Sequence, residues 1–197
     1  MEINKRPSLT ANLLAALLCL GPLGAVAKDP APPPDGPAGS GALKTIPALD
    51  VPRYMGVWFE IAKFPNWFQR KCTGAARAEY SLQSDGTVQI VNRCRIEGGA
   101  TIEAVGAARQ VGPASSPKLE VRFAPAWLSF LPLVWGDYWV IDLDERYQLV
   151  AVSEPKRDYL WILARTPHVD PDAYQSLLAR LSRMGFDLSR LQATPQD

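Results

Sequence analysis

The chain of 197 residues has one histidine, three cysteines and a formal net charge of only +1. So few His and Cys side chains leave little material for a metal centre, which needs several such ligands set close together. A balanced charge provides no basic stripe, the electrostatic footprint of nucleic-acid binding, so nucleic acid is not an expected partner. Long apolar runs are missing too. The stretch from Leu13 to Leu20 falls well short of the ~20 residues of a membrane-spanning helix. There is no Ser-His-Asp signature, phosphate loop, metal-ligand spacing or internal repeat. No cofactor or metal is therefore expected.

What is present begins with a leader. Lys5 and Arg6 precede the short apolar stretch, and small residues follow to Ala25-Val26-Ala27. A basic start, a greasy middle and an A-x-A site are the parts of a secretory signal peptide, so residues 1–27 are expected to be cleaved after Ala27. The rival reading is a lipoprotein anchored at Cys19, but Leu18 stands where such a signal wants a small residue. Residues 28–45, with PAPPPDGPAGSG at their centre, cannot bury apolar area and read as a flexible linker. The remaining stretch, 46–197, has the size of one domain. Once the leader is removed, Cys72 and Cys94 are left, and in an exported chain a disulfide is the default for such a pair. The alternative is two free thiols in a buried site.

From Gly56 to Val152 the apolar residues recur with period two, the mark of strands buried on one face. Eight runs are expected, beginning with GVWFEIAKF, AARAEYSLQ, TVQIVNRCRI, ATIEAVGAARQV and KLEVRFA, and ending with DYWVIDLD, QLVAVSE and YLWILAR. Asp85-Gly86 between the second and third is a strong hairpin signal. After Thr166-Pro167 the period changes. Asp170-Pro171 reads as a helix start, Leu177, Leu178 and Leu181 recur at helical spacing, and Gly185 is a stop. The expected fold is all-β, an eight-stranded antiparallel up-and-down barrel with one C-terminal helix packed outside. An open sandwich fits the periodicity nearly as well.

Strand parity assigns the inward faces. Tyr80 and Leu82 fall together, opposite Arg77, Glu79 and Ser81; across the turn Val88, Ile90 and Asn92 match them. Ile102, Ala104, Gly106 and Ala108 share a face, as do Leu119, Val121 and Phe123. Trp58, Glu60 and Ala62 share one on the first strand, and Tyr159, Trp161, Leu163 and Arg165 on the eighth. The inward charges Glu60 and Arg165 require partners or access to water. On the sixth strand either Tyr138 or Trp139 points in. Asp142 shares parity with Tyr138, which favours Trp139.

Gly56-x-Trp58, Asp137-Tyr138 and Arg165 resemble the three sequence signatures of the lipocalins, in order and on strands expected from periodicity alone. YMGVWFEIAKFPNWFQRKC, DGTVQIVNRCR and RDYLWILARTP are similar to the bacterial outer-membrane lipocalins of the apolipoprotein D branch. The likeness runs from about Leu49 to Leu191. The resemblance implies a closed barrel with Arg165 packed over Trp58 at one end, and a mouth formed by the loops after strands one, three, five and seven. The family's usual threonine before Asp137 is Gly136 here. Several relatives are lipoproteins, whereas this leader reads as release into the periplasm, with association to the outer membrane as the alternative.

The resemblance further implies a lipid-like ligand, a fatty acid or lysophospholipid. It would be held by Tyr80, Ile90, Ala104, Phe123, Trp139, Tyr159 and Trp161, with Asn92 and Glu60 as contacts for a polar head. At the mouth, PAWLSFLPLVWG carries Trp127, Leu128, Phe130, Leu131 and Trp135 without a charge. Loops are ordinarily polar because their backbone faces water. This one is expected either to fold inward as a lid or to stand out as a lip for a membrane, a second copy of the chain or an entering ligand. Two further functions are weighed: an enzyme using a cysteine nucleophile, and an envelope interaction protein or homodimer built on the mouth loop.

Overall fold

In the computed structural model, residues 41–197 are described; the expected leader and the linker residues 28–40 lie outside them. Period-two runs become strands because alternate side chains leave opposite faces of a pleated backbone. They are β1 (Gly56–Lys63), β2 (Cys72–Leu82), β3 (Val88–Ile96), β4 (Thr101–Gln110), β5 (Lys118–Arg122), β6 (Gly136–Leu143), β7 (Leu149–Ser153) and β8 (Leu160–Ala164). Neighbours in sequence pair antiparallel, and β1 joins both β8 and β2, so the sheet closes. The barrel is therefore the outcome, not an open sandwich. Register confirms the parity: Tyr80 lies opposite Ile90, Ala78 opposite Asn92, and Ile90 opposite Gly106.

Two apolar layers result. Inside the closed half of the barrel are Trp58, Tyr80, Ile90, Val140, Val150, Val152 and Leu163. Outside, Ile141, Ala151, Leu160, Ile162 and Ala164 pack under helix α2 (Pro171–Arg183) with its Leu177 and Leu181. β7 is buried along its whole length because the helix covers its outer face. Asp170 caps α2 by accepting from the Ala173 amide at 2.9 Å, and Arg180 fastens it through a two-pronged pair with Asp142 at 2.6 and 2.9 Å.

Three features went unanticipated. Before β1 a single turn, α1 (Val51–Tyr54), puts Val51 and Tyr54 into the closed end of the barrel. After α2 a two-residue strand, β9 (Gln192–Ala193), pairs with Ala62 and Lys63 of β1, beyond the Phe59–Arg77 position where the β1–β2 register ends. The third corrects the linker boundary at 45. Leu43 is buried in the layer under α2, and Arg157 donates to the Gly41 carbonyl at 3.0 Å. No helix among the described residues is long and apolar enough to cross a membrane.

Candidate functional site

At the closed end, the Arg165 guanidinium lies 3.9 Å from the Trp58 ring centroid. It also donates to the carbonyls of Val57, Arg53 and Tyr147 at 3.0, 2.9 and 3.3 Å. Charge, ring face and backbone acceptors answer one another, so the inward arginine is structural. Gly56 is required beside it: its φ is +96°, and a Cβ would stand 3.3 Å from an Arg165 nitrogen. The Trp58 indole N–H donates to the Tyr54 carbonyl at 2.9 Å, tying β1 to α1.

Above this closure three phenols meet. Tyr138 shares hydrogen bonds with Tyr54 at 2.8 Å and with Tyr80 at 3.1 Å. Burial pushes the Tyr80 phenol up to about 12 and raises Tyr54 and Tyr138 in the same direction. Ionising any of them would strand an anion in an apolar interior. Tyr138 therefore faces in, which corrects the expectation for Trp139. Trp139 lies on the outer face with the α2 layer, its ring under the Lys118 ammonium at 4.1 Å. The cause is a register shift between Val140 and Asp142. It carries Asp142 outward to Arg180, so parity counted back from Asp142 misleads.

From the phenols a cavity of about 800 Å³ opens toward the other end. Glu60, Tyr80, Ile90, Asn92, Ala104, Phe123, Tyr159 and Trp161 all line it. Thus eight of the nine residues expected around a ligand are brought together, with Trp139 the exception. Ala76, Ala78 and Ala104 keep one wall open. Phe123 folds over Gly106, where any Cβ would meet its ring at 2.7 Å.

Glu60 has found its partners in the protein. Its carboxylate accepts from Lys63 at 2.5 Å, Thr194 at 2.6 Å and Gln69 at 2.7 Å. Strict alternation sets Lys63 on the opposite face, but a bulge between Glu60 and Ala62 turns Ala62 outward, under α2, and brings Lys63 back to Glu60. This corrects the shared face assigned to Glu60 and Ala62. Gln69 extends the network by accepting from the Trp161 indole at 3.0 Å. Asn92, by contrast, makes no side-chain hydrogen bond among the described residues and has its amide free at the wall.

The β1–β2 loop was missed as a lining element. Its Trp67, Phe68 and Gln69 border the cavity, and Phe68 packs against Tyr159 and Trp161. The run Phe64-Pro-Asn-Trp-Phe68 was a readable signal, apolar where a loop should be polar. Cys72 and Cys94 form a disulfide at this end, joining β2 to β3. In the β5–β6 loop two short 3-10 turns follow Pro125 and begin at Pro132. The lid reading fails for Trp127, Phe130 and Leu133, which are 72%, 74% and 98% exposed. Leu131 is also exposed and Leu128 partly so. Trp135 is held under the Arg109 guanidinium at 4.1 Å, and the adjoining Gly136 and Asp137 border the cavity.

Comparison with known proteins adds an independent line. A family model described as a lipocalin-like domain matches residues 49–196. Temperature-induced lipocalin-1 of Arabidopsis thaliana is 41% identical over 157 residues, covering 78% of this chain and 83% of that protein. Outer membrane lipoprotein Blc of Escherichia coli K12 is 38% identical over 143 residues, covering 72% and 76%. Apolipoprotein D of Mus musculus is 31% identical over 154 residues, covering 75% and 77%. Among solved structures, insecticyanin from the tobacco hornworm Manduca sexta superposes with a TM-score of 0.59 at 17% identity, covering 77% of this chain and 83% of that one. Lobster apocrustacyanin A1 gives 0.58 at 16% identity, covering 75% and 80%. At such identities these two likenesses speak for the fold alone.

Proposed function

The chain belongs to the lipocalin family, and from that membership we propose that it carries a single-chain lipid, a fatty acid or lysophospholipid, in the barrel cavity. The observation that carries the reading is the cavity itself. At about 800 Å³ it falls within the ~300–1,000 Å³ of small-molecule sites, and its lining is mostly apolar, with charge contributed by Glu60, Arg77, Arg93, Glu103, Asp137 and the β7–β8 loop. The polar points divide the labour. Asn92 offers a free amide partway along the wall, whereas Glu60 is saturated and acts by positioning Gln69, and through it Trp161. Glu154, Lys156 and Asp158 on the β7–β8 loop bring charge to the rim, where a polar head would reach water. Binding without turnover fits the disulfide, which leaves neither Cys72 nor Cys94 as a nucleophile.

Titration of delipidated protein with fatty acids and lysophosphatidylcholine tests this, with intrinsic tryptophan fluorescence and calorimetry as readouts. Saturable one-to-one binding is expected, weakened several-fold by Ala104→Trp, which fills the wall. Absence of affinity for every acyl ligand sinks the reading.

The leader and the outer membrane lipoproteins among the relatives support export to a bacterial envelope, with cleavage after Ala27 preferred to an anchor at Cys19. The second reading, contact with a membrane at the mouth, rests on one observation. Trp67 and Phe68 on one loop and Trp127, Phe130 and Leu133 on another are all exposed, in loops that both border the same opening. Exposed apolar area of this kind marks interaction surfaces. Flotation with phospholipid vesicles is its test. A homodimer through the same rim is the competing outcome, visible as a doubled mass.

A further inference from the structure

The floor of the cavity is a chain of three phenols, and its protons can be counted. Tyr54, Tyr138 and Tyr80 carry three hydroxyl hydrogens, and the two contacts at 2.8 and 3.1 Å use one each. One hydrogen is left without an acceptor among the described residues. Either oxygen can donate in each contact, so the surplus hydrogen can sit on any of the three. Tyr54 does not border the main cavity, but Tyr80 and Tyr138 do. The order Tyr54 to Tyr138 to Tyr80 leaves the free hydrogen on Tyr80, at the cavity floor. A buried hydroxyl hydrogen with no acceptor is costly, and more so in an apolar surrounding.

We propose that this floor is a hydrogen-bonding subsite for the end of the ligand that enters first, selecting chains or rings with a neutral oxygen there that accepts without donating, a carbonyl or ether, over chains ending in a bare methyl. The inference rests on the acyl-ligand reading and deepens it by naming what the buried end carries.

Two observations decide in favour of a neutral acceptor. The phenols stay protonated because burial opposes their ionisation, so the floor offers hydrogen and no charge. Arg165, the cation whose charge is felt at Tyr54 and Tyr80, is spent on three backbone carbonyls and the Trp58 ring. A carboxylate driven to the floor would lose its hydration with no counterion to replace it. A carbonyl or ether oxygen accepts the surplus hydrogen and brings none of its own, whereas a hydroxyl would only pass the surplus on. The residues flanking the phenols, Ile90, Val121 and Leu163, are apolar, so the subsite is a single polar point at the bottom of an apolar barrel.

The experiment compares a saturated fatty acid with its (ω−1)-oxo analogue of equal chain length, a methyl ketone, by calorimetry on delipidated protein. The wild type should prefer the (ω−1)-oxo analogue by about fivefold, the worth of one net hydrogen bond. In the Tyr80→Phe/Tyr138→Phe variant the preference should reverse by roughly tenfold or more, because the ketone oxygen is then buried without a partner. Tyr80→Phe alone leaves two hydroxyls with one shared hydrogen, and hence a surplus still, so it should keep most of the wild-type preference. A wild-type preference for the bare methyl end overturns the proposal, as does a ratio that the double substitution leaves unchanged. The wild-type comparison stands by itself even where the double variant fails to fold. Binding of both analogues with equal affinity defeats this subsite alone; binding of neither defeats the acyl-ligand reading with it.

Discussion

Three buried phenols make the interior sensitive to alkali. Tyr80 is held at about 12 by burial against ~10 for a free phenol, and Tyr54 and Tyr138 shift in the same direction. Above pH ~10 the unfolded chain gives up protons that the folded chain retains. The linked stability is therefore whole below pH ~10 and is lost as pH rises through about 12. Urea midpoints are expected to hold steady up to pH ~10 and to fall steeply between 10 and 12. Tyr80→Phe should soften the fall; a wild-type midpoint that stays level to pH 12 would contradict this account. The same residues show where parity reading stops. Tyr138 and Trp139 are neighbours on one strand, and periodicity alone cannot say which of two aromatics points in. The marker used to choose, Asp142, lies past a bulge, and one extra residue inverts every assignment beyond it. Glu60 and Lys63 repeat the lesson: a bulge makes partners of residues that alternation sets apart.

At the scale of elements, the strands and the helix were legible because their signals are local. Asp85-Gly86 makes its turn, with Asp85 accepting from Thr87 at 2.9 Å, and Asp170, Pro171 and Gly185 bound α2 as such residues should. Two elements carried no such signal. β9 has two residues, and what holds the segment after it is Thr194 on Glu60 and Gln196 on the carbonyls of Glu60 and Ala76. α1 is one turn long and depends on the Asp50 cap and on the closed end it fills. The disulfide belongs to this scale too. Cys72 and Cys94 are 22 residues apart, a loop whose closure restricts the unfolded chain by about 3 kcal/mol. Reduction, or Cys72→Ser/Cys94→Ser, should lower the melting temperature by roughly 10 °C with the β-sheet circular dichroism retained. A melting temperature that does not move would mean the β2–β3 pairing constrains that loop without help.

For the whole molecule the two ends of the barrel have opposite characters. One is sealed by Trp58, Arg165 and α1. The other is ringed by aromatics in water, with Trp67 and Trp127 each 72% exposed. Replacing Trp127, Phe130 and Leu133 together by serine removes no buried contact. Stability should therefore stay within about 0.5 kcal/mol, and fatty-acid affinity should hold, while flotation with phospholipid vesicles is lost. Undiminished flotation would assign membrane contact to another face. A change in mass from dimer to monomer would assign the rim to a second copy of the chain.

By itself the sequence determined the strands, their order and the C-terminal helix, because alternation, turn residues and caps are properties of short segments; the pair Trp58 and Arg165 was legible only through the resemblance to the lipocalins. It also marked the mouth loop, since seven apolar residues without a charge are conspicuous anywhere in a chain. Only the tertiary structure decided whether that loop folds in or stands out, and which of Tyr138 and Trp139 reaches the cavity. It alone decided that Glu60 is answered by Lys63, Gln69 and a threonine 134 residues away. For the last two the physical reasons are plain. Bulges shift parity without a mark in the hydrophobic pattern, and buried polar groups are satisfied by whatever the closed barrel brings beside them, however distant along the chain.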